Sequence, residues 1–274
     1  MSEPAKSSPE AAGDRAGVDY WNAVWDADDA LPPPIGPGMA GSWHHPDREL
    51  ARWLAKALAA HAPPGARLLE VGAARSAVLP FLGGPLGCRV TGLDMSPQGC
   101  RQAEAMLQRA GVAGEIVCGD VFALPPRFAG AFDAVFSLGV VEHFDDTAAV
   151  LRAMAGALRP GGVMLTVIPN LMGVTGSLQR TLGREVYDKH VPLGRDALAR
   201  AHRDAGLVVV RANWFQATNF SVLNLPAAGR GAAMLRYGLC QASRAAWWLE
   251  ERGLPLPATR LFAPYVACIA QRPG

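Results

Sequence analysis

Two short apolar runs end in an acid: Cys88-Arg-Val-Thr-Gly-Leu-Asp94 and Glu115-Ile-Val-Cys-Gly-Asp120. A third, Arg67-Leu-Leu-Glu-Val71, passes directly into the small-residue stretch Gly72-Ala-Ala-Arg-Ser76. A carboxylate at Asp94 is placed to accept hydrogen bonds from a pair of ribose-type hydroxyls. One at Asp120 is placed to accept from an adenine-type amino group, with Val121 and Phe122 packing on the ring. Small residues after Val71 let a ligand approach the backbone, and the next helix N-terminus offers free N–H groups. Each acid taken singly also fits a helix cap or a surface carboxylate. Their recurrence at successive strand ends is what favours a bound nucleoside. A dinucleotide fingerprint requires G-x-G-x-x-G, and only its first glycine is present.

Two histidines are candidates for proton transfer. His143 lies in Val140-Val-Glu-His-Phe144 and His190 in Tyr187-Asp-Lys-His-Val-Pro192. An imidazole whose ordinary pKa is about 6.5 suits a general base at neutral pH. His143 equally fits a loop-orienting role, and His190 a packing role. Glu142 is placed to orient a cofactor or His143, and Tyr187 to form an aromatic wall. Asn170 and Asn219, just after the fifth and sixth strands, are candidate polar contacts to an acceptor. Metal is not expected. Adjacent His44 and His45 point in different directions; Glu142, Asp145 and Asp146 also admit a divalent-ion reading, but a solvated loop before a helix N-terminus explains the two aspartates better.

The elements that must position these groups follow a clear rhythm. Pro46 to His61 repeats its apolar residues at three- and four-residue spacing, predicting a helix that Pro63-Pro64-Gly65 stops. Strands are then expected at Arg67–Val71, Cys88–Asp94, Glu115–Asp120, Phe132–Ser137 and Val163–Ile168. Helices are expected at Ser96–Arg109 and Asp146–Leu158, with Arg159-Pro-Gly-Gly162 as the turn into the fifth strand. This alternation predicts βαβ units and a parallel sheet. Ligands of open α/β sheets bind beyond the carboxyl ends of the strands, which is where the polar residues cluster.

With these pieces in order, the chain resembles the class I S-adenosylmethionine-dependent methyltransferases of small-molecule type. The resemblance rests on LLEVGAARS, VTGLDMS, IVCGDVFALP, FDAVFSLGVVEHF and LRPGGVMLTVIPN, and covers about residues 66–170. It implies a Rossmann-like α/β fold with helices on both faces of seven mostly parallel strands, the seventh antiparallel. Leu207–Phe215 and Pro264–Arg272 would be strands six and seven. It implies S-adenosylmethionine as cofactor, held by Glu70, Gly72 and Ala74 in the first turn and by Asp94 with Met95 at the ribose. Asp120 and Val121 would meet the adenine, and Ser137, Leu138 and Gly139 the methionyl side. The family usually repeats glycine where Ala74 and Ser76 stand. The implied reaction is in-line methyl transfer to a small-molecule hydroxyl, with His143, His190 or neither as base. Carbon or nitrogen acceptors, or a non-catalytic cofactor-binding subunit, are the alternatives.

Residues 1–18 read as a disordered tail, 19–62 as a helical lid carrying Trp21 and Trp25, and 63–274 as the methyltransferase domain. Within the last, residues 216–263 form a helical insertion between strands six and seven. Met234, Leu235, Leu239, Ala242, Ala246 and Leu249 are expected on its apolar face. Three roles fit it: a cap over an apolar acceptor, a homodimer contact, or a membrane-surface helix.

Composition excludes several classes of function. The 274 residues carry 26 Lys and Arg against 24 Asp and Glu, a formal net charge of +2. Such a chain has no global field for nucleic acid, so none is expected as partner. Half the residues are hydrophobic, enough for a sizeable core. The five cysteines contain no C-x-x-C pair, which argues against disulfide or zinc scaffolds and for a cytoplasmic setting. No integral membrane segment is expected, since no window offers 18 uninterrupted apolar residues.

Overall fold

The central strand sequences are apolar on both faces, and the alternation of side chains sends neighbouring residues into two different cores. In the computed structural model, which describes residues 13–26, 30–224 and 230–274, β1 (Arg67–Val71) shows the pattern plainly. Leu69 and Val71 join a core with α5 (Thr147–Ala157) and α8 (Arg195–Asp204) through Leu151, Met154 and Leu198. Leu68, on the opposite face, joins a core with α2 (His45–His61) and α3 (Leu79–Gly83) through Leu54, Leu58 and Phe81. A strand covered on both sides has no solvated face and so reads as a continuous hydrophobic run.

The remaining strands are β2 (Arg89–Asp94), β3 (Gly114–Cys118), β4 (Phe132–Leu138), β5 (Leu158–Pro169), β6 (Val208–Phe215) and β7 (Tyr265–Gln271). The order is β3-β2-β1-β4-β5-β7-β6. β1 pairs in parallel with both β2 and β4, while β7 runs antiparallel to β5 and β6. Strand order therefore reverses at β1 and β4, opening a crevice at their carboxyl ends. This is the fold expected from the sequence.

Local boundaries differ in three places. Asp120 lies beyond β3 and instead caps the 3-10 turn Val121–Ala123, accepting from the Phe122 N–H at 2.9 Å. Arg159–Gly162, expected as a free turn, is taken into β5 as an irregularity. Gly161 donates to the Arg272 carbonyl, and Arg272 donates back to Gly162. The expected disordered tail is ordered in its last residues. Asp14 bridges to Phe144, the Arg15 N–H donates to the His143 carbonyl at 2.9 Å, and α1 (Gly17–Asp26) begins directly afterwards. Residues 1–12 of that expectation lie outside the described residues.

The insertion forms one long helix, α9 (Arg230–Glu250), which packs by its C-terminal half. Trp247 is 1% exposed, stacks on His45 and donates its indole N–H to the Thr218 carbonyl at 2.9 Å. His45 also faces Glu250 at 3.1 Å, and Arg48 pairs with Glu251. Met234 (74% exposed), Leu235 and Ala242, expected on the apolar face, are exposed. The anchoring ring is Trp247, and it turns a different stripe of the helix inward. Trp247→Ala is expected to lower stability by about 3 kcal/mol or more, measured by denaturant unfolding, with proteolysis cutting first around α9. Among the described residues, no helix is long and apolar enough to cross a membrane.

Candidate active site

A cavity of about 370 Å³ opens at the carboxyl ends of β1, β2, β3 and β4, where the topology reverses. Its floor is the turn after β1. Gly72 has φ 78°, and a Cβ there would stand 2.3 Å from Val140 Cγ2. The position thus demands glycine for conformation and for space. The turn is pinned to β2 by N–H donation from Gly72 and Ala73 to the Leu93 carbonyl, at 2.9 and 3.1 Å.

The two positions where the family usually has glycine are accommodated differently. Ala74 keeps a negative φ, the left-handed conformation falling instead on Arg75 at φ 50°. Opposite Ala74 lies Gly99 of α4 (Pro97–Ala110), where an added Cβ would meet the Ala74 Cβ at 2.5 Å. The missing glycine has in effect moved across the contact. Ser76 donates to Glu70 Oε2 at 2.8 Å while its Oγ accepts from the N–H groups of Val78 and Leu79, both at 3.0 Å.

Asp94 is buried and each of its oxygens accepts one backbone N–H, Oδ2 from Ala74 and Oδ1 from Ser96, both at 2.9 Å. Burial raises its pKa above the ordinary carboxylate value, against the opposing effect of these N–H groups. Glu70 is more strongly affected: burial pushes it up to about 8, the Ser76 hydroxyl opposes this, and the charge of Asp94 adds to it. Both carboxyls border the cavity, as do Gly72, Ala74, Met95, Asp120, Val121, Leu138 and Gly139. Ser137 does not; it is fully buried in β4 and its hydroxyl lacks a partner.

The opposite wall comes from α1. Trp21 and Trp25, one helical turn apart, stack at 6.0 Å and border the cavity. Helix α1 is held over the sheet edge by Ser96, whose hydroxyl donates to Asn22 Oδ1 at 2.7 Å, and by Gln102, whose amide donates to the Trp25 carbonyl at 3.0 Å. The Trp21 and His143 rings meet edge to face, with centroids 5.0 Å apart. Asp14, Asp47 and Leu50 also border the cavity. Sequence reasoning missed them because nothing local marks a residue that reaches the site from another element.

His143 and His190, read from the sequence as separate candidates, are neighbours with ring centroids 4.4 Å apart. His143 borders the cavity and is 4% exposed. Burial, then the nearby His190, lowers its pKa to about 3. Burial, then the Arg15 charge, lowers that of His190 too. Arg15 clamps the two loops together, donating to the His190 carbonyl at 2.8 Å and pairing with Asp145 at 2.7 Å. Glu142 is buried behind His143 and does not border the cavity; burial raises its pKa to about 8. Asp146 caps α5, accepting from the Ala149 N–H.

Three expected acceptor contacts lie elsewhere. Asn170 is fully buried, and its amide donates to the carbonyls of Arg260 and Ala263, both at 2.9 Å. It ties the end of β5 to the segment entering β7. Asn219 caps its own turn, accepting from the Ser221 N–H at 3.1 Å. Tyr187 lies on α7 (Arg184–Asp188), which follows α6 (Val174–Leu182), and is not part of the cavity wall. The insertion, residues 216–263, likewise contributes nothing to that wall among the described residues.

The sheet order and the carboxyl-edge crevice define the fold of class I S-adenosylmethionine-binding proteins. Residues 69–166 match the family model described as a methyltransferase domain. Over 213 residues the chain is 32% identical to the ribosomal protein L11 methyltransferase of Thermus thermophilus, covering 70% of this chain and 74% of that one. It is 31% identical over 132 residues to the ubiquinone biosynthesis O-methyltransferase of Xanthomonas axonopodis pv. citri, covering 48% of this chain and 54% of that one. The chain thus spans about half the length of the ubiquinone-pathway relatives it matches. Among solved structures, an S-adenosylmethionine-dependent methyltransferase from Clostridium acetobutylicum aligns with TM-score 0.55 at 10% identity, covering 83% of this chain and 92% of that one. The [4+2]-cyclase SpnF aligns with TM-score 0.57 at 17% identity, covering 92% of this chain and 91% of that one. These structural likenesses speak for the fold alone. The chain belongs to the class I S-adenosylmethionine-dependent methyltransferases.

Proposed function

We propose that this protein transfers a methyl group from S-adenosylmethionine to a hydroxyl of a small-molecule acceptor, a metabolite of glycan-like or natural-product kind. The observation that carries this reading is one cavity bordered jointly by the Gly72 turn, Asp94 and Asp120. The cofactor, when bound, supplies an activated methyl for in-line attack.

The chain's own groups fit that ligand. An ionised carboxylate offers about four lone-pair sites, so Asp94 can hold its two backbone donors and still accept from ribose hydroxyls. Asp120 accepts from the adenine amino group and Val121 packs against the ring. Gly72 and Ala74 bring bare backbone to the methionyl end, with Leu138 and Gly139 beside it. Glu70 balances the cofactor's positive charge from beneath. Trp21 and Trp25 exclude water and give the acceptor an apolar wall. Of the two candidate histidines only His143 borders the cavity, which supports it as the one beside an incoming hydroxyl. The name of the Xanthomonas relative, an O-methyltransferase, supports oxygen as the atom methylated.

Calorimetric titration with S-adenosylmethionine and S-adenosylhomocysteine tests the pocket first. Binding no tighter than millimolar would overturn the whole reading. Asp94→Ala is expected to weaken S-adenosylhomocysteine at least about tenfold, since it removes a charged acceptor of two hydrogen bonds. Wild-type affinity in that variant would remove Asp94 from the ribose site. Release of S-adenosylhomocysteine on incubation with hydroxyl-bearing acceptors, against amine-bearing ones, decides the atom.

A further inference from the structure

Glu142, His143 and His190 reach one point from two separate loops, with ligand atoms all within 4.8 Å of one another. The hydrogen bonds around them define what they present to each other. His143 Nδ1 lies 2.9 Å from the Lys189 carbonyl, and His190 Nδ1 lies 2.7 Å from the Val186 carbonyl. A carbonyl only accepts, so both contacts call for the proton on Nδ1, the tautomer that leaves a lone pair on Nε2. Glu142 is 1% exposed, and neither of its carboxylate oxygens has a hydrogen-bond partner. The Gly139 carbonyl approaches the His143 ring as well. With Glu142 ionised, the cluster offers lone pairs and no donor among them.

The nearby cations are engaged elsewhere. The Lys189 ammonium lies over the Tyr20 ring, 4.4 Å from its centroid. The Arg15 guanidinium pairs with Asp145 and the His190 carbonyl. An unpaired buried carboxylate beside two imidazole lone pairs is costly, and a cation at their meeting point offsets that cost.

We propose that Glu142, His143 and His190 form a binding site for a divalent first-row transition ion of the zinc and cobalt class. Two imidazole nitrogens and one carboxylate suit such an ion, whereas magnesium prefers an all-oxygen shell. The Nδ1–H bonds to backbone carbonyls are the outer bonds that metal-binding histidines characteristically make, fixing tautomer and ring orientation. Three protein ligands leave coordination positions open. His143 borders the cavity, so the open side faces the space where an acceptor oxygen would lie. A metal there would lower the pKa of a bound hydroxyl enough for its proton to pass to water rather than to a side chain. The site itself does not depend on the methyl-transfer reading.

The full chain, stripped with a chelator, is titrated with Co2+ while visible absorption is recorded, and then with Zn2+ by calorimetry. The expected result is one equivalent of Co2+ giving d–d bands without thiolate charge transfer, displaced by Zn2+ and unaffected by Mg2+. Glu142→Gln and His190→Ala are each expected to weaken the ion at least about tenfold, while His61→Ala leaves it unchanged. His190→Ala carries the test if Glu142→Gln fails to fold. Absent d–d bands, thiolate charge transfer, or affinity equal to wild type in a folded ligand variant would each overturn the site. So would a higher melting temperature of Glu142→Gln with no ion bound by the wild type, which would mean that a proton alone joins the cluster. S-adenosylhomocysteine affinity, measured on the same samples, separates failure of the metal site from failure of the cofactor pocket.

Discussion

Gly72→Ala should abolish measurable binding of S-adenosylhomocysteine, weakening it by about a hundredfold or more, while the protein still folds. Two independent obstacles combine at this position. An alanine at φ 78° pays roughly 1–2 kcal/mol for the left-handed conformation. Its Cβ would also stand 2.3 Å from Val140 Cγ2, far inside contact distance. Relief requires turning the Val140 side chain, or displacing either the turn, whose N–H groups are fixed to Leu93, or the loop that follows β4. All of these border the same cavity, so any relief alters the site. Sheet pairing lies below the turn and survives. Calorimetry measures the affinity, and thermal unfolding checks the fold. Val140→Ala in the Gly72→Ala background removes the overlap but not the φ cost, and should recover part of the binding. Full affinity in the single variant would mean that the turn does not contact the cofactor.

The second large effect is on pH dependence. Glu70 is pushed up to about 8 by burial, against an ordinary value of 4.5. Between these values the folded protein holds a proton that the unfolded chain releases, so stability must fall as pH rises through that window. The contribution is fully present below about 4.5 and lost by the time pH has passed about 8. Glu70→Gln keeps the shape and cannot titrate. The difference in melting temperature between wild type and Glu70→Gln should therefore move against the wild type from pH 5 to pH 8. A cationic ligand above Glu70 reverses the preference by stabilising the carboxylate. Binding of S-adenosylmethionine to the wild type should then release a proton near neutral pH, seen as a dependence of calorimetric heat on buffer ionisation. A pH-independent difference between the two proteins would show that Glu70 is ionised throughout.

The centre of the sheet was legible because its strands are covered on both faces and so read as apolar runs, as in Leu68-Leu69 and Val135-Phe136. The acids at the crevice were legible because strand ends are marked by that contrast. Polar residues after β5 and β6 were misread for a physical reason. Asn170 and Asn219 satisfy backbone groups, and an amide that caps a turn looks the same in sequence as one that meets a ligand. The path of the following loop decides between them. Contacts between distant segments were out of reach for the same reason. Nothing in Val140–Phe144 announces that His190 will lie against His143, or that Arg15 will hold both loops. The stripe of α9 that turns inward depended on Trp247 finding His45, a pairing that helical periodicity alone does not contain.

Ala74 and Gly99 divide between them a space that holds only one methyl group. Substitutions at the two positions are therefore not independent, and tolerance at either is set by the occupant of the other. Counting glycines within the first turn misjudges such a site, because the quantity being kept is the combined volume of two residues 25 positions apart. With glycine at the first position, an alanine at the second would lose the 2.5 Å overlap and meet the residue-74 Cα at 3.2 Å and Asp94 Oδ1 at 3.3 Å. The turn and the helix behind it thus drift as a pair, and a motif written along one segment records half of the constraint.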